Sequence, residues 1–335
     1  MFRRALVSVL LVALVFGWSA GSGRAQADAP RADRQVTVTL DGSGPYLASM
    51  GTILTGAFDR MIQELDAFPE QPSPDQVKDA SVRRRLLELR LLMDFGAYAY
   101  DPVLLDTYRK VTDGAYEEIG DYQDVAVSQA LLQFSVRPDV VSQRLIKMNV
   151  MLASLRTPLV RSSMRGFLAS PSSSIQSLPA KDVPRLWELA QTAPSEQLDT
   201  VGNVAMLGTR VLRSVQGSDP FVADIFDRPQ EEKFHTTRKD TRSILLLLLM
   251  FPETRNATRG TSEPLFALVS QYGDVNDAIV AYRTAMSYGG PADAAADLLR
   301  TEFSKAQTEQ GVVVSARSFD EVASILDRVQ QEHRH

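Results

Sequence analysis

From Tyr46 onward the apolar positions of the chain recur at helical spacing. Ile53, Ala57, Met61 and Leu65 follow a four-residue step, and Phe58 and Ile62 widen the stripe. Pro69 to Pro74 interrupts it, and Ser73-Pro74-Asp75-Gln76 reads as the entry to a new helix. Ser73 would be its N-cap, Pro74 its first residue and Gln76 the closing member of a capping box. That helix is predicted over 75–98, with Val82, Leu86, Leu89 and Met93 on its apolar face. Further helices are predicted over 102–118, 124–134, 138–155 and 159–169, followed by a looser Ser/Pro-containing stretch, 170–194. The pattern resumes over 198–215, breaks at Gly217-Ser218-Asp219-Pro220, and runs over 230–250 to Pro252. A polar loop is predicted over 255–262, then helices over 263–272, 277–287, 292–310 and 318–332. Strand patterning is confined to Val36–Leu40 and Val312–Val314, too little for a sheet. The chain is therefore expected to be all-α.

The segment before this pattern has a different character. Arg3 and Arg4 precede an apolar core over 5–18, and Ala25-Gln26-Ala27 has the form of a signal-peptidase site. The alternative, an uncleaved anchor, meets the difficulty that the run is shorter than the ~20 residues of a bilayer span. Residues 1–27 are read as a signal peptide cut after Ala27, which implies a periplasmic or secreted protein. Residues 28–45 are read as a flexible leader, and 46–335 as the helical domain. After processing no segment is long enough to span a membrane; the greasiest stretch, 244–251, is far too short.

Composition narrows the chemistry. The chain has no cysteine, which excludes disulfides, thiol nucleophiles and Cys-ligated metals. Its net charge is −5; residues 1–27 hold Arg3, Arg4 and Arg24 and no acid, so the processed chain keeps 33 basic against 41 acidic residues, −8. A generic nucleic-acid binder would be basic, so any anion site must be a local patch. Of three histidines, His333 and His335 are terminal, so one internal His and no Cys leave no zinc constellation. No nucleophile elbow, phosphate loop or dinucleotide fingerprint is present, and no catalytic residue, metal or cofactor is expected.

Two segments match each other. Ile119-Gly120-Asp121-Tyr122-Gln123-Asp124 echoes Tyr272-Gly273-Asp274-Val275-Asn276-Asp277, and each follows a basic–apolar helix. In the first of those helices stand Arg83, Arg84, Arg85 and Arg90; in the second, His235, Arg238, Lys239 and Arg242. Such self-similarity predicts an internal duplication, with halves of about 46–195 and 196–335. The two Gly-Asp segments are read as turns, with Gly120 and Gly273 as positive-φ helix stops and Asp124 and Asp277 as N-caps.

The arrangement resembles the CHAD family, the conserved-histidine α-helical domain, over most of the processed chain. His235, Arg238, Lys239 and Arg242 fall on that family's basic-helix motif, and Tyr272 to Asp277 on its Gly-Asp turn. The first half departs from it: keeping Val82, Leu86 and Leu89 buried puts Arg83, Arg84 and Arg90 on basic positions but Ala80 on the histidine, and a shifted alignment would use Lys78 and Arg85 instead. In the second half Leu245 replaces an expected basic residue. The resemblance implies two antiparallel helical bundles and a ligand such as inorganic polyphosphate or another polyanion.

Read physically, His235, Arg238, Lys239 and Arg242 at i, i+3, i+4 and i+7 share one helix face. Like charges so placed repel unless an anion or carboxylates neutralise them. Either a solvated face offset by Glu231, Glu232 and Asp240 or an anion row fits that pattern. Arg161 with Arg165, and Arg210 with Arg213, are further basic pairs. The expected function is non-enzymatic polyanion binding by His235, Arg238, Lys239 and Arg242 facing Arg83, Arg84 and Arg90. The alternative is a scaffold with a protein partner.

Overall fold

The computed structural model describes residues 39–73, 76–77, 81–216, 225–313 and 316–334. The predicted signal peptide lies outside them. The fold is all-α, and no strand occurs among the described residues. The first half contains α1 (Tyr46–Ala67), α2 (Ser81–Phe95), α3 (Pro102–Leu132), α4 (Pro138–Arg156) and α5 (Pro158–Leu168). A short helix, α6 (Arg185–Ala190), leads into α7 (Thr200–Gln216), α8 (Arg228–Met250), α9 (Pro252–Thr258), α10 (Glu263–Tyr288), α11 (Ala292–Val313) and α12 (Ala316–Glu332).

Local chemistry sets the helix starts. Ser73 and Gln76 form the expected capping box: the Ser73 N–H donates to Gln76 Oε1 at 2.8 Å, and the Gln76 N–H to Ser73 Oγ at 3.2 Å. Asp101 caps α3 by accepting from the N–H groups of Val103 and Leu104, with Pro102 at the first position. Gly289, at φ +71°, ends α10 in the left-handed region.

Both Gly-Asp segments differ from expectation. Gly120 lies inside α3 and Gly273 inside α10, neither at positive φ, so neither stops a helix, and Asp124 and Asp277 are not N-caps. The reason is visible in the burial pattern. Ala115, Ile119, Tyr122 and Val125 continue one buried stripe through the first glycine, and Val269, Tyr272, Val275 and Ala278 do so through the second. A glycine inside a helix costs only about 1 kcal/mol, less than breaking such a stripe. The loop predicted over 255–262 is helical in its first part: residues 255–258 belong to α9, whose Thr254 and Thr258 are buried and donate their hydroxyls to main-chain carbonyls.

α1 packs on α2, α2 on α3 and α3 on α4; α7 packs on α8, α8 on α10 and α10 on α11. The halves join where α3 lies against α10 and α2 against α8. They share one core. Trp187, 1% exposed, stacks on Phe95 at 5.8 Å, and Phe95 meets Tyr46 and Phe251 edge-on. The Phe95 carbonyl accepts from both the Tyr46 hydroxyl, at 2.7 Å, and the Trp187 indole, at 3.1 Å.

The described end of the 28–45 segment is anchored rather than a loose leader. Leu40 is buried and its N–H donates to Met250 O, while Gly42 O and Gly44 O accept from the N–H groups of Val201 and Thr200. The other end of the chain arrives at the same place. Asp199 donates its N–H to His333 O, and its carboxylate meets His333 Nδ1 at 2.7 Å while accepting from Gly202 N.

Candidate functional site: an arginine cluster between the halves

α2 buries Val82, Leu86 and Leu89, so Arg83 and Arg90, seven residues apart, share another face. Their guanidinium groups sit over the ring of Tyr116, on α3, at 4.8 and 4.6 Å from its centroid. Arg83 Nη1 donates to Gln123 Oε1, and Gln123 Nε2 in turn donates to the Val77 carbonyl. Arg90 pairs with Asp113. Gly120 makes room for this arrangement: a Cβ there would stand 2.5 Å from Arg83 Nη2.

Arg238 and Arg242 approach the same ring from α8. Burial alone would raise the Tyr116 phenol, but the fields of Arg83, Arg242, Arg90 and Arg238 override it and bring it down to about 8. Arg238 is itself pushed down to about 10 by burial and by Arg242, with Tyr116 and Asp277 acting in the opposite direction. The Nε groups of Arg83 and Arg238 are both buried without a hydrogen-bond partner. Asp124 is raised to about 6 by burial; nearby Arg83 opposes this, while Asp121 and Asp277 add to it.

His235 lies at the edge of the cluster, half-buried and sharing a hydrogen bond with the Asn276 side chain. Burial, then Lys239 and Arg238, depress it to about 4, against the pull of Asn276. The free imidazole is therefore neutral at pH 6, where an unperturbed histidine would be largely charged.

The structure thus brings together Arg83, Arg90, Arg238 and Arg242, with His235 beside them. Lys239 is exposed and lies by Asp240, which Arg185 holds at 3.2 Å. Arg84 belongs to a different face: it acts on Glu88, whose carboxyl is raised by burial and opposed by Arg85, Arg84 and Arg60. Arg85 pairs with Glu88 and Glu64. The other basic pairs are used elsewhere: Arg161 with Asp66, Arg165 with Asp59, and Arg213 with Asp327, while Arg210 donates to Ala190 O.

Sequence reasoning missed Tyr116, Gln123 and the place of Asp124 near Arg83. Their signal was phase: Asp113, Tyr116, Gly120 and Asp124 follow helical spacing once α3 is read as continuous. Among the described residues no His/Cys/Asp/Glu group could hold a metal ion, and no helix is long and apolar enough to cross a membrane. No protein-family model matches the chain, and no curated protein matches it either.

Proposed function

We propose that this is an exported, CHAD-like protein whose arginine cluster binds an anionic polymer, inorganic polyphosphate first. The observation that carries this reading is the pair of buried, unpartnered Nε donors of Arg83 and Arg238, one from each half of the chain. A buried donor without an acceptor is costly, and a like-charged neighbour raises the cost. Phosphate oxygens would relieve both at once through charge-assisted hydrogen bonds. His235 would gain a proton as the anion arrives. The reading involves no bond making or breaking, in keeping with the lack of a nucleophile motif in the sequence.

Calorimetry of the processed protein with polyphosphate tests it. Binding is expected at low salt and should weaken steeply as salt rises, because counterions are released on contact. Arg238→Gln should weaken binding by on the order of 1–3 kcal/mol. Glutamine is preferable to charge reversal because Arg238 is packed between the halves, not freely solvated. No heat with wild type at low salt would overturn the reading. It would leave a helical scaffold that recruits a protein partner. That alternative draws support from the acids already in place, since Asp113 pairs with Arg90 and Arg83 acts on Asp124.

A further inference from the structure

Tyr116 is the group about which the arginine cluster is built. Arg83 and Arg90 lie over its ring from α2, at 4.8 and 4.6 Å from the centroid, and Arg238 and Arg242 act on it from α8, in the other half of the chain. A phenol ordinarily loses its proton near pH 10, and burial delays that loss. Four guanidinia reverse the order, and the Tyr116 phenol is brought down to about 8. The influence is mutual: burial and Arg242 push Arg238 down, while Tyr116, then Asp277, hold it up. Acids also stand around the ring. On α3, Asp113 pairs with Arg90, and Asp124 lies about two turns beyond Tyr116; Asp277 of α10 acts on both Asp124 and Arg238. Further along the seam between α2 and α3, Asp94 feels Arg90 and pairs with Arg109. From α4, Arg144 is held by Asp121. His235, on α8, is neutral at alkaline pH. None of these groups cancels the pull of the four guanidinia on the phenol.

We propose that Tyr116 is an internal competitor for the arginine cluster: its phenolate takes up the positive field from within, and a phosphate chain enters by returning a proton to the phenol. The role rests on the polyanion reading and adds to it a control by pH. Two anions crowded into one partly buried site repel, whereas an anion and a neutral phenol do not. The cations that hold the phenolate are those that would meet the ligand, so each anion weakens the hold on the other. The ligand is therefore bound best at neutral pH and released as pH rises through 8. With one proton exchanged, affinity falls about tenfold for each pH unit above that value. Arg238, pushed down only to about 10, keeps most of its charge up to pH 9.

The test combines the ultraviolet absorption of tyrosinate with calorimetry against long-chain polyphosphate, on the processed wild type and on Tyr116→Phe. Phenylalanine keeps the ring under Arg83 and Arg90 and removes the hydroxyl alone. The free wild type should show a tyrosinate step near pH 8 that Tyr116→Phe lacks. Tyr46, Tyr98, Tyr100 and Tyr122, all raised by burial, ionise later. Wild-type affinity should fall about tenfold from pH 7 to pH 9, and that of Tyr116→Phe far less, the ligand's own ionisation being common to both. Saturating polyphosphate should also move the wild-type step upward by about one pH unit or more, a reading that needs no variant. The absence of a step near pH 8, an equal fall in both proteins, or a step unmoved by bound ligand would overturn the role of Tyr116 while leaving the cluster standing. A step near pH 8 with no binding by either protein at pH 7 and low salt would overturn the cluster reading and the competitor role with it.

Discussion

Gly120 and Gly273 occupy matching places in the two Gly-Asp segments but have opposite surroundings. A Cβ on Gly273 would meet nothing within 4 Å, whereas one on Gly120 would strike Arg83. Gly273→Ala should therefore stabilise the protein by about 1 kcal/mol, the usual advantage of alanine over glycine in a helix, read as a higher unfolding midpoint. A lowered midpoint would show that Gly273 is needed where it stands. Gly120→Ala gains the same propensity but displaces a flexible guanidinium. It should keep helical content and weaken polyphosphate binding, separating stability from function in one substitution. At His235 the prediction is a proton count. With the free imidazole near 4, anion binding at pH 5 should place a proton on it, and at pH 8 none. Calorimetry in two buffers of different ionisation heat measures this, and His235→Gln should abolish the uptake. Equal heats in both buffers at pH 5 would show that His235 does not meet the anion.

At the scale of the helices, the buried acids of the α2–α3 seam set a pH dependence of stability. Asp94 has a folded value near 6, above its unfolded value of about 4. Its contribution is thus fully present below the unfolded value and is lost as pH rises through 6. Asp94→Asn should gain on wild type between pH 5 and pH 7.5, by roughly 1–3 kcal/mol, seen as a growing difference in unfolding midpoint. A constant difference would mean that the carboxyl titrates normally. Much of this level was legible in the sequence. The capping box at Ser73 and the face carrying Val82, Leu86 and Leu89 followed from spacing alone, as did the start of α3 at Pro102. The continuity of α3 and α10 was not legible, because glycine beside aspartate is also the signature of a turn. Only the burial of Ile119, Tyr122, Tyr272 and Val275 decides between the two. The half of the site carried by α3 was missed for the same reason. Arg83, Arg90, Arg238 and Arg242 could be found as charges at helical spacing, but Tyr116 and Gln123 acquire meaning only when α3 runs unbroken beneath them.

The whole molecule depends on the contact between halves. Trp187, Phe95, Tyr46 and Phe251 come from distant parts of the chain and meet in one core, and α6 brings the tryptophan there. Trp187→Ala should cost ~3–5 kcal/mol and lower the unfolding midpoint in a single transition, because neither half has a separate core to fall back on. Two separate transitions would show independent halves. The export proposal belongs to this scale as well. Mass spectrometry of the protein made in a bacterial host should find Asp28 at the N-terminus, and a mature species retaining Met1 in the cytoplasm would overturn it. The chain contains two tryptophans, Trp18 and Trp187, so after that cleavage its indole fluorescence would come from the core alone.

Asp199 receives the chain at both extremities, the 40–45 segment beside it and His333 upon it. The described path is therefore nearly a closed ring. A gene that splices residue 334 to residue 40 through a short Gly/Ser bridge and opens instead at Ser173–Ser174, both exposed, should encode a molecule with the same helices and the same ligand preference. Its order of synthesis would be inverted, with the α7–α12 half emerging from the ribosome before α1. If such a permutant folds, the bundle does not depend on which half is made first.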